Sequence, residues 1–275
     1  MDLSKIKLVV ADMDGTLLNA RHELSPDFYP VFNEMKAKGI LFAAASGRQY
    51  FNLLNLFETI RDDVIFIAEN GSYVVYQGED LLVQPMEQDV VKEQLLVARK
   101  IPDAYIILCG KKGAYVEDVT PRFIQNVQMY CERYEVVDDL LKVDNDRFLK
   151  IAICDMAGSE GNSYTFFRQK QDELQVKVSG SIWLDLSHKL ANKGRAIEVL
   201  QKKYGITIDE TMVFGDYLND LEMMQQASFS YAMENAHPEI KNAARYLTKS
   251  NEENGVTIVL RQMLNAMNCS SVATG

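Results

Sequence analysis

Short runs of consecutive apolar residues alternate with amphipathic segments along the first part of the chain. The runs LVVA, LFAAA and VIFIA contain no polar alternation, which is typical of strands buried on both faces of a parallel sheet. Between the first two runs, Phe28, Phe32 and Met35 recur at helical spacing and predict an amphipathic helix. This strand–helix–strand succession predicts a parallel α/β sheet with right-handed crossovers.

The pattern changes near residue 84. The next hundred residues contain segments of helical character, such as QDVVKEQLLVARK, and strand-like runs, such as AYIILCG and FLKIAICD, without the alternation of helices and acid-tipped parallel strands. From ANKGRAIEVLQKKYG the earlier pattern returns, and ETMVFGD again ends a short apolar strand with an acid. We therefore expect an α/β core formed by residues 1–83 and 188–275, with an α+β insert at residues 84–187.

Composition and charge limit the possible partners. The chain has 275 residues, of which 47% are hydrophobic, and a net charge of −10, which argues against nonspecific binding of nucleic acid. The sequence contains no run of 18 or more consecutive apolar residues, so no membrane span is predicted. The N-terminal segment lacks the apolar core of a signal peptide. The four cysteines have no metal or redox spacing. We expect a cytoplasmic protein that is monomeric or weakly homo-oligomeric and has no nucleic-acid or membrane partner.

Acidic residues follow two of the predicted core strands. Asp12 and Asp14 come at the end of the first strand, and Asp216 follows the strand MVF after one glycine. Ligands of open α/β sheets bind at the carboxyl ends of the strands, so these three acids should lie near one another. Such a cluster of hard oxygen atoms suits Mg²⁺, which binds few carboxylates and keeps sites for water and substrate phosphate.

Further residues complement a phosphate group at the same edge. Ser46 and Gly47 follow the second strand, where backbone N–H groups and a hydroxyl can form an anion site. Lys193 begins a predicted helix, where the macrodipole disfavours a lysine unless an anion lies close by. Taken singly, Ser46 could be an ordinary N-cap and Lys193 a solvated surface residue. Together they predict a site in which one carboxylate attacks phosphorus while its neighbour transfers protons.

Four motifs occur in a fixed order: DMDGT, ASGR, NKG and GDYLND. In this order they resemble the haloacid dehalogenase (HAD) superfamily, and specifically its Cof-type phosphatases, which carry a large α/β cap. The similarity to a bacterial sugar phosphatase of this type includes the stretches FIAENGSYVVYQGEDLL and ARYLTKSNEENGV. The resemblance implies a Rossmann-like parallel-sheet core with an inserted cap, and Mg²⁺-dependent hydrolysis of small phosphorylated metabolites such as sugar phosphates.

The resemblance also implies a role for each motif residue. Asp12 would be the nucleophile and a Mg²⁺ ligand, and Asp14 the general acid/base that also lends its backbone carbonyl to the metal. Asp216 would be the remaining metal carboxylate. The implied ligands of the phosphoryl oxygens are Ser46, Gly47 and Lys193, with Asn219 and Asp220 as supporting residues nearby.

Two other functions remain open on the motifs. Some HAD phosphomannomutases carry a related cap, and the motifs do not separate phosphoryl transfer within a sugar from hydrolysis. A receiver-type signalling module also combines acids, a hydroxyl and a lysine, but its acceptor lies on a later strand and its chain is about half as long.

Substrate choice is expected to reside in the insert. Lys112 and Tyr115, in the loop region CGKKGAYV, are candidate contacts for a polar ligand. Trp183 is a candidate for stacking on a sugar, and Asn70, in the stretch FIAENGSY, is a fourth candidate. The sequence does not name the substrate.

Overall fold

The computed structural model describes residues 2–272 of the chain, with side chains as far as residue 269. Its strands, in chain order, are β1 (Leu8–Asp12), β2 (Leu41–Ala45), β3 (Val64–Ala68), β4 (Tyr73–Tyr76), β5 (Glu79–Val83), β6 (Ala104–Gly110), β7 (Ala114–Val116), β8 (Tyr134–Val136), β9 (Phe148–Asp155), β10 (Leu174–Gly180), β11 (Trp183–His188), β12 (Thr211–Gly215), β13 (Phe229–Ala232) and β14 (Tyr246–Leu247). Its helices are α1 (Phe28–Ala37), α2 (Tyr50–Leu56), α3 (Gln88–Ala98), α4 (Pro121–Tyr130), α5 (Ser163–Phe167), α6 (Lys193–Tyr204), α7 (Leu221–Met224), α8 (Pro238–Ala243) and α9 (Gly255–Val272).

The strands form two sheets. The larger sheet has the order β14-β13-β12-β1-β2-β3-β4-β5, in which β14 to β3 are parallel and the last two strands antiparallel. The smaller sheet has the order β10-β11-β9-β6-β7-β8 and is antiparallel apart from the β7–β8 pair. The predicted α/β fold with a parallel-sheet core and an α+β insert is confirmed. All strands of the smaller sheet lie between Ala104 and His188.

Burial explains why the core strands read as continuous apolar runs. Every residue of β1, β3 and β12 is buried, because helices and loops cover both faces of the parallel sheet. The apolar face of α1, which includes Phe28, Phe32 and Met35, packs into the same hydrophobic cluster. The helical spacing of these apolar residues places them on one face of α1, and this face is buried against the core sheet.

The smaller sheet instead carries a separate hydrophobic cluster on each face. Along β6, Ile106 and Leu108 belong to one cluster, whereas Ile107 and Cys109 belong to the other. This alternation follows from the two-residue period of a strand. The face with Ile106 and Leu108 packs against α3 and α5, whereas the face with Ile107 and Cys109 packs against α4 and borders the cavity described below.

Strand register brings the carboxyl ends of the central core strands together. Asp12 is the last residue of β1 and pairs with Ala45 of β2, while Ala11 pairs with Phe214 of β12. Residues that directly follow β2 and β12 consequently lie beside Asp12. Within residues 2–272, no helix combines the length and the hydropathy that a membrane crossing requires.

Candidate active site

Lys193 is the central cation of the site at the carboxyl edge of the core sheet. Its side chain is wholly buried, and its Nζ lies 2.5 Å from Asp12 Oδ1 and 2.6 Å from Asp220 Oδ1. Burial opposes the charge on Lys193, but the two carboxylates outweigh it and raise the pKa of the ammonium group. Two carboxylates therefore lie beside the lysine at the first position of α6, as its place at a helix start predicted. The alternative that Lys193 is a solvated surface residue is wrong, because its side chain is buried.

Asp12, Asp216 and Asp220 form an acid cluster in which one oxygen from each lies within 4.8 Å of the others. Burial and the neighbouring Asp220 raise the pKa of Asp12 well above its ordinary value, and the same two causes raise the pKa of Asp216 to about 7. Thr16 donates a hydrogen bond of 3.0 Å to Asp216. Buried like charges of this kind require compensation beyond one lysine.

The carboxylate of Asp14 points to a different set of partners. Arg48 donates from Nε to Asp14 Oδ2 at 2.7 Å and from Nη2 to Oδ1 at 2.5 Å, and His22 Nδ1 lies 2.8 Å from Oδ1. Burial raises the pKa of Asp14, but Arg48 and His22 outweigh it and hold the pKa well below its usual range. The Asp14 side chain is therefore outside the acid cluster, and its predicted contact with metal concerns the backbone carbonyl alone.

The turn after β2 places Ser46 and Gly47 beside the acids. The Ser46 hydroxyl accepts a hydrogen bond of 3.1 Å from the backbone N–H of Arg48, so a local turn-stabilising role coexists with its position in the cavity wall. A Cβ atom at Gly47 would lie 3.0 Å from Asn70 Oδ1, a tight contact that glycine avoids. Asn219 donates to the same Oδ1 at 3.0 Å. The predicted phosphate-binding residues are thus neighbours.

A single cavity connects the core edge to one face of the smaller sheet. Its core wall includes Asp12, Asp14, Ser46, Gly47, Arg48, Gln49, Glu69, Asp216, Tyr217 and Asn219. Its opposite wall comprises Ile107, Cys109, Tyr130, Cys131, Lys150, Ala152, Ser179, Trp183 and Asp185. Trp183 packs edge-on against Tyr130, with ring centroids 5.4 Å apart and an interplanar angle of 83°.

Three of the four substrate candidates do not line this cavity. Tyr115 faces the opposite side of the smaller sheet, where its hydroxyl donates to Asp146 at 3.1 Å, because strand alternation directs it with Leu108 and away from Cys109. Lys112 is exposed, and its ammonium group donates to the carbonyl of Asn145. The prediction for these two residues is corrected on this geometry.

Asn70 lies behind the cavity wall as a bridge between its two sides. Its amide Nδ2 donates to Asp185 Oδ2 at 2.6 Å, and its Oδ1 accepts from Asn219. Asn70 adopts a left-handed φ of 54°, which asparagine tolerates better than most residues. It orients wall residues, and of the four candidates Trp183 is the one in the wall itself.

A family model described as haloacid dehalogenase-like hydrolase matches residues 9–260, which include both sheets, apart from Leu8, and every residue of the acid cluster. The chain belongs to the haloacid dehalogenase-like hydrolases. The resemblance seen in the four motifs is thereby confirmed.

Relatives of this HAD-like hydrolase are named phosphatases. The 5-amino-6-(5-phospho-D-ribitylamino)uracil phosphatase YbjI of Escherichia coli is 36% identical over 94% of this chain and 96% of the relative. Phosphatase YwpJ of Bacillus subtilis is 27% identical over 94% of this chain and 100% of its own. The solved structure of SMU.1108c from Streptococcus mutans has a TM-score of 0.87 at 29% identity and covers 94% and 99% of the two chains. The expected class of phosphoric monoester hydrolase is confirmed.

The motifs alone did not single out four residues of this HAD-like hydrolase that shape the site: His22, Arg48, Lys150 and Asp185. Arg48 belongs to the motif ASGR, so its position could have been noted from the sequence. His22, on the loop after β1, has no local signal. Lys150 and Asp185 belong to no motif, and each lies within a strand-like run whose residues alternate between two faces. The sequence does not show which face borders the cavity; the folded sheet does.

Proposed function

We propose that this HAD-like hydrolase is a Mg²⁺-dependent phosphatase of small phosphorylated metabolites, sugar phosphates foremost, and that it acts through an aspartyl phosphate at Asp12. The observation that carries the proposal is the buried acid cluster against Lys193, open to a cavity that also contains Ser46 and Gly47. A phosphate dianion needs cationic partners in this position, and the cluster and Lys193 together provide a metal site and an ammonium group.

The donor set fits Mg²⁺. Asp220 is occupied, because its Oδ1 pairs with Lys193 and its Oδ2 accepts from the backbone N–H groups of Asp216 and Tyr217 at 2.9 and 3.2 Å. Asp12 and Asp216 keep oxygens available, and with the backbone carbonyl of Asp14 they would hold the ion. When bound, Mg²⁺ would neutralise charge on the phosphoryl group and help to orient it.

In the proposed mechanism Asp12 attacks phosphorus while Lys193, Ser46 and the backbone N–H of Gly47 hold the phosphoryl oxygens. Asp14 gives a proton to the leaving oxygen and later removes one from the water that hydrolyses the aspartyl phosphate. Arg48 and His22 hold Asp14 in its ionised form in this structure, which is the form needed for the second step. To act as the acid of the first step, Asp14 must separate from Arg48 and take up a proton. Asn219 supports the phosphate loop through Asn70.

We further propose that residues 84–187 act as a cap, with residues 1–83 and 188–275 as the catalytic core. Contacts across the cavity support this division: Gln49 Nε2 donates to the Arg133 carbonyl at 2.7 Å, and Arg133 N donates to Gln49 Oε1 at 2.9 Å. Closure of such a cap would exclude bulk water from the aspartyl phosphate. We also propose a cytoplasmic monomer or weak homo-oligomer without nucleic-acid or membrane partners, in keeping with the net charge of −10.

A second candidate substrate is 5-amino-6-(5-phospho-D-ribitylamino)uracil, which the Escherichia coli relative is named for. The observation that favours it is the aromatic corner of Trp183 and Tyr130 in the cavity wall, which offers a stacking surface to a planar ring. A simple hexose phosphate makes less use of that corner.

Phosphate release from a panel of phosphorylated metabolites tests the proposal. The panel contains hexose 1- and 6-phosphates, pentitol phosphates and the ribitylaminouracil phosphate, each assayed with Mg²⁺, with Ca²⁺ and after chelation. We expect free phosphate with Mg²⁺ alone, because Ca²⁺ prefers 6–8 oxygens and can take both oxygens of Asp12. Conversion of hexose 1-phosphate to 6-phosphate without free phosphate would establish a mutase, and a single stoichiometric phosphorylation a receiver-type module.

A further inference from the structure

Three buried charged side chains meet at the cavity wall apart from the acid cluster. Lys150 of β9 lies 2.9 Å from Glu69 Oε2 and 3.5 Å from Asp185 Oδ1, and all three side chains are about 95% buried or more. Lys150 also donates to the carbonyl of Gly47 at 2.7 Å, so the group borders the phosphate loop. We refer to Glu69, Lys150 and Asp185 as the wall triad.

The lysine of the wall triad is surrounded by oxygen atoms. Its ammonium group donates a hydrogen bond to the Gly47 carbonyl and forms ion pairs with the carboxylates of Glu69 and Asp185. Burial opposes its charge, but Asp185 and Glu69 outweigh burial and raise the pKa of Lys150 well above its ordinary value. The ammonium group of Lys150 therefore stays charged, and both carboxylates of the triad are paired with it.

The other cation of the cavity wall is committed as well. Among the described residues that line the cavity, the arginine and lysine side chains are Arg48 and Lys150. Arg48 binds both oxygens of Asp14 and donates from Nη1 to Asn52 Oδ1 at 2.9 Å. The charge of each cation is thus already paired with a carboxylate of the wall, so neither offers an uncompensated positive charge to a second anionic group on a substrate.

The carboxylates of the triad have acceptor capacity left. A carboxylate accepts about four hydrogen bonds, whereas Asp185 accepts one from Asn70, and Glu69 Oε2 is paired with the charge of Lys150 but accepts no hydrogen bond. Hydroxyl or amino groups of a leaving group can satisfy these oxygens. A second carboxylate or phosphate would meet them without a counter-charge, and such like-charge contacts in a desolvated site are costly.

We propose that the wall triad selects the leaving group: it favours neutral groups rich in hydroxyl or amino donors and rejects groups that carry a second negative charge. This inference rests on the proposed phosphatase function, because it assumes that the phosphoryl group occupies the core edge of the cavity. In this proposal Glu69 and Asp185 accept hydrogen bonds from the leaving group, and Lys150 fixes their positions relative to the phosphate loop.

A matched pair of substrates tests this selection. D-Glucitol 6-phosphate and 6-phospho-D-gluconate differ in one terminal group, a neutral CH₂OH in the first and a carboxylate in the second. We expect kcat/KM for glucitol 6-phosphate to exceed that for phosphogluconate by at least about tenfold, a modest share of what an uncompensated like-charge contact costs. Equal values, or a preference for phosphogluconate, would overturn the inference.

Substitutions that change the triad charge in opposite directions should move this ratio in opposite directions. Asp185→Asn and, as an isosteric second variant, Glu69→Gln remove a negative charge and should narrow the ratio. Lys150→Gln removes the positive charge and should widen it. Lys142→Gln, which removes a charge at an exposed position (side chain 80% exposed), is the matched control and should leave the ratio unchanged. A merely structural role for the triad would lower both rates together and leave the ratio constant.

A binding measurement separates failure of this inference from failure of the proposed function. Calorimetric titration of Asp12→Asn protein with each ester, in the presence of Mg²⁺, measures the preference without turnover. If the wild type releases no phosphate from any ester, the phosphatase proposal fails, and a preserved binding preference for glucitol 6-phosphate would still support the triad. If both esters are hydrolysed and bind alike, the triad proposal fails and the phosphatase proposal stands.

Discussion

The two walls of the cavity obtain their functional residues in different ways. On the core wall, Asp12, Ser46 and Asp216 lie at or directly after the ends of buried parallel strands, so sheet register alone brings them together. On the opposite wall, Lys150, Trp183 and Asp185 are alternate residues of antiparallel strands whose other face is a hydrophobic core. The position of a residue on the core wall follows from the topology of the sheet. A residue on the opposite wall can be replaced by another type without disturbing the apolar face of the strand that carries it.

This difference suggests that the core wall performs the chemistry and the opposite wall selects the substrate. Asp12 and Asp216 of the core wall belong to the acid cluster, and the buried Lys193 behind them pairs with Asp12 and Asp220. The opposite wall presents aromatic rings and a charge triad to the cavity. Substitutions on the two walls should accordingly have effects of different size and kind.

Asp12→Asn should have the largest effect. An amide is not a nucleophile toward phosphorus, and the substitution also removes a charged partner of Lys193. We expect kcat to fall by at least about 10³-fold on every substrate, the scale of losing an essential catalytic group. Steady-state phosphate release on sugar phosphates and on acetyl phosphate measures this, and residual activity within tenfold of wild type would exclude Asp12 as the nucleophile.

Asp14→Asn should lower kcat by about 10²–10⁴-fold, the usual contribution of general acid/base catalysis. The loss in kcat/KM, which reports formation of the aspartyl phosphate, should be smaller on acetyl phosphate, whose leaving group needs little protonation. The two substrates are compared under identical Mg²⁺ concentration. Equal losses on both would mean that Asp14 acts by holding Arg48 and not by donating a proton to the leaving group.

Trp183→Ala should have a more moderate and selective effect. Loss of the ring against Tyr130 should lower kcat/KM for sugar phosphates by about tenfold, because one aromatic contact contributes about 0.5–1.5 kcal/mol beyond its buried area. Acetyl phosphate, which is too small to reach the ring, should be much less affected. Lys112→Ala is the matched control, since Lys112 is exposed outside the cavity. A tenfold effect of Lys112→Ala would restore it as a substrate contact.

The smallest effect concerns stability and pH. Burial and Asp220 raise the pKa of Asp216 to about 7, so the folded state binds a proton more tightly than the unfolded state, where the pKa is near 3.8. Stability from this group is therefore fully present below about pH 4 and is lost as pH rises toward 7. In metal-free protein the loss should be on the order of 2 kcal/mol, less than the full shift because Asp216 is partly exposed.

Denaturant unfolding of wild type and Asp216→Asn between pH 4 and pH 8, each with and without Mg²⁺, measures this term. The metal-free wild type should lose stability relative to the variant across that range, and Mg²⁺ should restore it by binding the ionised carboxylates. If the free energy of unfolding changes with pH in the same way in both metal-free proteins, the pKa of Asp216 is not raised in the folded state.

The contrast between the walls also explains which features could be predicted from sequence. The apolar runs and their acid tips predicted the parallel sheet and placed Asp12, Asp14, Ser46 and Asp216 at one edge, because this arrangement depends on local sequence and chain direction. The candidates Lys112 and Tyr115 lie outside the cavity because their positions depend on the phase of strand alternation in β7 and on the contacts of the preceding loop. A shift of one residue on a strand exchanges the cavity face for the core face.

Partners distant in sequence account for the rest. His22 and Arg48 hold Asp14, and Glu69 pairs with Lys150 from the other sheet. Neither pairing has a signature in sequence spacing, since each depends on how the loop after β1 or the smaller sheet packs onto the core. Even the position of Lys193 at a helix start indicated only that an anion is near, and the structure was needed to show that two carboxylates surround it.

Mass spectrometry of acid-quenched Asp14→Asn protein during turnover of acetyl phosphate tests the central claim most directly. The first step needs little proton transfer with this substrate, whereas hydrolysis of the aspartyl phosphate depends on Asp14, so the intermediate should accumulate. The account predicts one phosphoryl group on the peptide that contains Asp12, and none when Asp12→Asn is added. Phosphate release by the Asp14→Asn protein with no phosphorylated peptide, or a phosphoryl group on the peptide that contains Asp216 and Asp220, would contradict it.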